Sequence, residues 1–241
     1  MAKGFFQFDR CLICHEVINP PIGWNSIFSI EKGHFLCEEC EGKLETIKGE
    51  TCHICGRSFT PSEEQFRQDE LCLDCVRWED DSQWSGLLLK NSSLYVYNDF
   101  LKEVIALFKY RGDYAIAKAF SQPMTEKINT LQADLYIPVP LSDERLYERG
   151  FNQAEALILG AGQKPCHLLT RIHSEKQSKK TRSERIHLPQ VFHLHTDRNL
   201  MGKNVVLVDD IYTTGSTLRH AAKLLKDAGA LTIQSLTLAR G

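Results

Sequence analysis

The chain has 241 residues, 42% of them hydrophobic and 25% charged, with a formal net charge of −2. That length holds one α/β domain of ordinary size and something smaller, and the composition is that of a soluble globular protein rather than a disordered or fibrous one. No apolar run approaches the roughly 20 residues of a membrane-spanning helix, and Met1–Arg10 lacks the apolar core of a signal peptide, so no membrane span and a cytoplasmic location are expected.

The net charge hides an asymmetry. Residues 1–80 carry 8 lysines and arginines against 15 acids, and residues 81–241 carry 21 against 16. A basic larger part suits a phosphate-rich ligand or nucleic acid.

Eight of the nine cysteines form four Cys-x-x-Cys pairs: Cys11/Cys14, Cys37/Cys40, Cys52/Cys55 and Cys72/Cys75. Two such pairs brought together give four thiolates in a tetrahedron, the closed site of structural zinc. Taken in order they make two sites, with 22 residues between the pairs of the first and 16 between those of the second. An interleaved cross-brace would use the same residues, iron is the rival metal, and disulfides would need an oxidising compartment. Trp24, Phe28 and Phe35 are expected to pack around the first site, where metal binding can supply on the order of 10–16 kcal/mol. Eight thiolates complete two sites, so His15, His34 and His53 are not expected to be ligands, and Cys166 is expected to have no role.

A boundary is expected near Glu79–Ser82, which divides the chain into 1–80 and 81–241. Leu94–Tyr97 reads as a strand. Asn98 caps a helix with Leu101, Val104, Ile105 and Phe108 on one face, ended by Gly112. Lys109, Tyr110, Arg111, Gly112 and Asp113 cluster at that end, either complementing the helix dipole or touching a ligand. A second helix is expected from about Tyr114 to Thr130. Asp134–Pro140 reads as a strand closed by prolines, then Leu141 and Ser142 lead into a helix with Arg145 and Arg149 on one face. Gly150–Gln153 opens a longer helix. Residues 171–190 are rich in Lys176, Lys179, Lys180, Arg182 and Arg185, and read as a mobile basic loop, either a solvated charge run or a cover that closes over a pyrophosphate.

Residues 205–217 are the most informative stretch. Val205–Val208 is an apolar β-branched run of the kind that forms a buried parallel strand. Asp209 and Asp210 fall at its carboxyl end, where α/β sheets hold ligands. Thr213, Thr214, Gly215, Ser216 and Thr217 form a turn before a helix over 216–228, and backbone N–H groups at a helix N-terminus attract phosphate. The acids repel a second phosphate but accept hydrogen bonds from a sugar diol or approach Mg²⁺. A ribose carrying a 5-phosphate meets all of these demands. A last strand over 232–238 completes a parallel sheet flanked by helices.

Val205–Thr217 resembles the 5-phosphoribosyl-1-pyrophosphate (PRPP) motif of type I phosphoribosyltransferases. Together with the four Cys-x-x-Cys pairs, Ile137–Ser142 and Arg149–Ala154, it makes nearly the whole chain similar to the ComF (ComFC) family, a double zinc ribbon followed by a type I phosphoribosyltransferase-like domain. The resemblance implies two zinc ions, PRPP with Mg²⁺, and a role in natural competence, in which single-stranded DNA enters the cytoplasm. It implies a helicase ATPase of the ComFA kind as partner, engaged through the zinc-bearing part. It also places Pro140, Leu141 and Ser142 in the pyrophosphate loop and the basic segment in a flexible hood. Within that hood Gln177 and Arg185 match the family pattern, while Lys180 and Leu188 depart from it.

Turnover does not follow from the resemblance. Purine phosphoribosyltransferases carry an aspartate as general base where this chain has Thr213. Orotate enzymes have threonine there and rely on loop lysines, for which Lys176, Lys179 or Lys180 would stand in. The catalytic residue is therefore unassigned. Three functions fit: a DNA-uptake protein with a PRPP site, a transferase acting on another acceptor, and a zinc-organised scaffold with a relic phosphate site.

Overall fold

The computed structural model describes residues 9–18, 35–59, 65–110, 113–172, 191–195 and 199–241. Its amino-terminal part repeats one small module. In the first copy the Cys11 N–H donates to the Glu16 carbonyl and the His15 N–H to the Cys11 carbonyl. In the second, the Cys52 N–H donates to the Arg57 carbonyl and the Gly56 N–H to the Cys52 carbonyl, at matching lengths of 2.8 and 2.9 Å. The residue after the second cysteine is left-handed in both, His15 at φ 65° and Gly56 at φ 70°. Each module then places its third cysteine at a helix N-terminus. Cys37 precedes α1 (Glu38–Gly42), and Cys72 ends the hairpin of β1 (Arg67–Gln68) and β2 (Leu71–Cys72) before α2 (Leu73–Asp80).

The larger part runs β3 (Lys90–Val96), α3 (Asp99–Tyr110), α4 (Ile116–Ala119), α5 (Ser121–Ile128), β4 (Leu135–Pro138), α6 (Asp143–Arg149), α7 (Gln153–Gly160), β5 (Leu169–Arg171), β6 (Phe192–Leu194), β7 (Asn204–Tyr212), α8 (Ser216–Asp227) and β8 (Thr232–Arg240). Four strands form a parallel sheet in the order β3-β8-β7-β4, and β5 pairs with β6 in a separate antiparallel hairpin. Side chains alternate across a strand, so β7 feeds two cores. Val206 and Val208 face α3, α4, α5 and α7. Val205 and Leu207 share the opposite core with α8 and with Cys52, Cys55, Cys72 and Cys75. The second Cys-x-x-Cys module is thus part of the sheet's own packing.

The structure refines the expected elements. The helix expected over 114–130 is two, α4 and α5, because Pro123 lacks an N–H and its ring crowds the carbonyl four residues earlier. The chain turns at Phe120 and restarts with Pro123 in the first turn of α5. The strand expected at 94–97 begins at Lys90, four residues earlier. Its polar start, Asn91–Ser93, hides a buried ladder. Asn91, 1% exposed, donates to the Cys55 carbonyl at 3.2 Å and to Ser93 Oγ at 2.8 Å, and accepts from Ser235 Oγ at 2.8 Å. Ser93 Oγ lies 2.7 Å from Thr237 Oγ1. Asn98 caps α3 as expected, accepting from the Leu101 N–H at 2.9 Å. Gly112, Arg111, Trp24, Phe28, His34 and the basic segment with Lys176, Lys179, Lys180, Arg182 and Arg185 lie outside the described residues.

Removing one partner of a buried polar network leaves the others unsatisfied, at about 1–3 kcal/mol for each group. Asn91→Ala is expected to lower the melting temperature by roughly 5–10 °C, at about 2–4 °C per kcal/mol for a chain of this size. A shift under about 2 °C in a thermal melt would show that the ladder carries no weight.

Candidate functional site

The carboxyl end of β7 overhangs its neighbour. β4 pairs with β7 only as far as Pro138 opposite Val208, whereas β8 pairs through Asp209 opposite Thr237 to Tyr212 opposite Arg240. Asp209 and Asp210 therefore lie inside a strand that runs four residues past the expected end, half-buried where β4 has stopped. The reason is that Thr237 and Ala239 continue the ladder on one side. The loop after it folds over Tyr212. Gly215 sits at φ 78°, and a Cβ there would lie 2.1 Å from the Tyr212 hydroxyl. Only glycine fits that cradle. The first α8 hydrogen bond of the loop runs from the Arg219 N–H to the Gly215 carbonyl at 2.9 Å, so the N–H groups of Ser216, Thr217 and Leu218 lie ahead of the helical ladder. Thr214 Oγ1 accepts from the Ser216 N–H at 3.4 Å, and the Thr213 side chain is exposed.

The two acids differ electrostatically. Burial first, and the neighbouring Asp210 charge second, push Asp209 well above the usual carboxylate range. Its Oδ1 accepts from the Asp210 N–H at 2.9 Å. Asp210 Oδ1 accepts from the Ile211 N–H at 2.9 Å, and Asp210 is ion-paired with Lys109 at the end of α3. Lys109, in the last turn of α3, thus faces the acids.

The remaining predicted residues gather at the end of β4. Pro140 and Leu141 are half-buried there, and Ser142 spends its hydroxyl on capping α6, accepting from the Arg145 N–H at 3.3 Å. The Arg149–Ala154 motif is a joint between helices. Gly150 closes α6 at φ 78°. Asn152 caps α7 through the Ala154 and Glu155 N–H groups and donates to the Val139 carbonyl at 2.9 Å. Gln153, 2% exposed, accepts from Arg149 at 3.1 Å and donates to the Phe108 carbonyl at 3.2 Å. The Arg149 guanidinium lies 5.8 Å from the centre of the Tyr110 ring. Burial, then the charges of Arg145 and Arg149, hold Arg171 below its usual range, with Asp209 opposing them. Arg171, on β5, thus feels the charges of Arg145, Arg149 and Asp209 together, although it lies far from all three in sequence.

The cysteines assemble in sequential pairs. Cys11, Cys14, Cys37 and Cys40 form one group and Cys52, Cys55, Cys72 and Cys75 the other, with sulfurs in each within 4.8 Å of one another. Cys14 to Cys37 and Cys55 to Cys72 are 3.6 Å apart. Zinc–sulfur bonds of about 2.3 Å in a tetrahedron set sulfurs about 3.8 Å apart, so both sets fit zinc and the interleaved alternative falls. All nine cysteines are free of disulfides. Neither His15 nor His53 joins a group, and His53 pairs with Glu70. Phe35 is 37% exposed rather than packed on the first centre, and its backbone carbonyl accepts from the Leu12 N–H. Cys166 is buried in the core beside the sheet.

Two residues that hold the loop before α8 escaped sequence reasoning. Trp78 Nε1 donates to the Thr214 carbonyl at 2.9 Å, and Arg240 Nη1 donates to the Tyr212 and Thr213 carbonyls at 3.2 and 3.1 Å. A tryptophan at the end of a cysteine-rich stretch and an arginine at the end of a strand carry no local signal for this.

Two outcomes follow. In the first group Cys14 is exposed, whereas all four cysteines of the second are buried. With two zinc ions per chain, chelation is expected in two phases, the second at least about tenfold slower; a colorimetric release assay with a single phase would contradict this. Asp209 binds its proton more tightly folded than unfolded, so its contribution is full below about pH 4 and is lost as pH rises through the raised folded value. Asp209→Asn carries no such loss. Its melting temperature is expected to gain on the wild type as pH rises above 4, and a difference constant across pH would remove the claim.

A phosphoribosyl transferase domain model matches residues 149–241 and a double zinc ribbon domain model matches residues 8–76. The chain is 36% identical over 243 residues to competence protein ComFC of Bacillus subtilis (strain 168), covering 99% of this chain and 98% of that one. It is 28% identical to competence protein ComFC of Streptococcus pneumoniae, covering 96% and 100%. Among solved structures, adenine phosphoribosyltransferase from Saccharomyces cerevisiae aligns over 60% of this chain and 76% of its own with 21% identity and a TM-score of 0.35. No helix among the described residues is long and apolar enough to cross a membrane. Similarity over its full length, with a zinc-ribbon part and a phosphoribosyl transferase part in that order, makes this chain a member of the ComFC family.

Proposed function

We propose that this chain binds PRPP or a related phosphoribosyl ligand between the end of β7 and the start of α8, and that this grip serves DNA uptake during natural transformation. The observation that carries the ligand reading is the pairing of two half-buried acids with a glycine-cradled loop at a helix N-terminus. The N–H groups ahead of α8 would hold a 5-phosphate. Asp209, whose burial disfavours its charge, would accept from or donate to a ribose hydroxyl. Asp210 would take the diol after exchanging with Lys109, and Arg145, Arg149 and Arg171 would neutralise a pyrophosphate. Magnesium entering with the ligand would add counter-charge to the pyrophosphate and the acids.

Binding, rather than transfer, is the better-supported chemistry. Transfer to an acceptor needs a group that takes its proton, and the exposed Thr213 hydroxyl does not serve at neutral pH. The uptake role rests on the names of the two relatives aligned over their whole lengths. In it, residues 1–80 and 81–241 are the two functional parts. Single-stranded DNA and a helicase ATPase of the ComFA kind are the partners, in a reducing cytoplasm that keeps the cysteines available to metal.

A ligand at about 100 times its Kd stabilises the native state by about 2.7 kcal/mol, or roughly 5–10 °C here. PRPP with Mg²⁺ is expected to raise the melting temperature by that amount, and the double variant Asp209→Ala/Asp210→Ala to remove the shift. No shift in the wild type would leave only the zinc-organised scaffold.

A further inference from the structure

The second cysteine centre touches the phosphate loop from behind. Arg240, 5% exposed, spans the two: Nη2 lies 3.2 Å from Cys55 Sγ while Nη1 holds the Tyr212 and Thr213 carbonyls. Its guanidinium also lies 4.9 Å from the centre of the Tyr212 ring, the ring on which Gly215 rests. A second tie runs through α2, the helix that carries Cys75. Trp78 holds the Thr214 carbonyl, and Glu79 pairs at 2.9 Å with Arg219, a fully buried residue in the first turns of α8. Between them Arg240 and Trp78 hold the carbonyls of Tyr212, Thr213 and Thr214, the three consecutive residues that lead into Gly215 and the N–H groups ahead of α8.

We propose that the second cysteine centre is the back wall of the phosphate loop, with Arg240 and Trp78 as positioning residues that transmit its metal state to Thr213–Thr217. The inference rests on the phosphate reading of that loop. Four thiolates around a divalent ion carry a net charge of −2, which costs free energy to bury unless a cation lies against it. Arg240 is that cation. With the centre filled, the Cys55 sulfur fixes the guanidinium, and the fixed guanidinium fixes two loop carbonyls. With the centre emptied, its four cysteines are no longer drawn to one point, the sulfur against Arg240 is no longer fixed, and the loop carbonyls that Arg240 holds are freed to move. The first centre, with Cys14 exposed, makes none of these ties among the described residues. The ribbon nearer the sheet therefore serves the ligand site directly.

The test uses the full-length zinc-loaded protein and two readouts. One is amide hydrogen exchange over 213–217, which needs no ligand. The other is calorimetric titration with PRPP and Mg²⁺. Trp78→Phe keeps the ring and deletes the N–H donor; Arg240→Met deletes the bridge; Arg240→Lys keeps the charge. Trp78→Phe and Arg240→Met are expected to speed loop exchange about tenfold and to weaken PRPP binding about five- to tenfold. Arg240→Lys is expected to recover part of both losses, and Trp78→Phe to keep two zinc ions per chain. Releasing zinc from the wild type is expected to speed exchange over 213–217 in step with the slow phase. Should Arg240→Met fail to fold, Trp78→Phe and the zinc-release series decide. Loop exchange that is unchanged in Trp78→Phe and after release of the second zinc overturns the coupling. If the wild type binds no PRPP, the phosphate reading fails by itself while the exchange result still judges the coupling. Normal PRPP affinity in Trp78→Phe, with wild-type binding intact, overturns the positioning role alone.

Discussion

Parallel pairing of β7 with β8 runs from Asn204 opposite Thr232 to Tyr212 opposite Arg240, while β4 stops opposite Val208. The unequal length of these two ladders creates the site. An overhanging strand keeps one side hydrogen-bonded and offers the other to whatever lies beyond the sheet. Asp209 and Asp210 occupy that overhang, Lys109 reaches them from α3, and Arg145 and Arg149 stand on the segment that leaves β4. The same pairing places Arg240 against the 213–217 loop, because the last residue of β8 lies level with the last residue of β7. Shifting the β7–β8 register by one residue would turn Arg240 to the other face of the sheet and break its reach to the loop.

The sheet needs cover on both faces, and the chain supplies it unequally. Helices α3, α4, α5 and α7 fill one side with aliphatic and aromatic residues. The other side has α8 and the second cysteine module, joined by polar groups as well as apolar ones. Asn91 and Ser93 reach Cys55, Ser235 and Thr237 through hydrogen bonds that are shielded from water. A buried polar seam of this kind is stabilising only when every member is paired. It therefore fixes how the module sits on the sheet more tightly than apolar contact would.

Sequence and structure agree where local signals are strong. Each Cys-x-x-Cys pair is legible as a short turn that brings two sulfurs together, whereas the choice of sequential over interleaved grouping was made by the tertiary structure. Val205–Val208 reads as a buried parallel strand and is one, and Asn98 caps its helix as its side chain suggests. The polar start of β3 was illegible, because Asn91 and Ser92 look like loop residues until their partners on β8 are known. The split between α4 and α5 was signalled by Pro123 and outweighed by the apolar periodicity on either side. Arg149–Ala154 was legible as a family mark, yet its physical work, a glycine stop, an asparagine cap and a buried glutamine strut, shows only in three dimensions.

The amino-acid sequence by itself determined the alternation of strands and helices, the four Cys-x-x-Cys pairs, and the run of acids, hydroxyls and glycine that opens α8. Each of these depends on residues within a few positions of one another, where backbone preference and side-chain chemistry suffice. Only the tertiary structure decided that Lys109 pairs with Asp210, that Arg171 joins Arg145 and Arg149, and that Trp78 and Arg240 hold the loop from beneath. Trp78 and Thr214 are 136 positions apart and Cys55 and Arg240 are 185 apart. Contacts of that separation form only when packing of the sheet has brought both ends together, so no local pattern in the chain announces them.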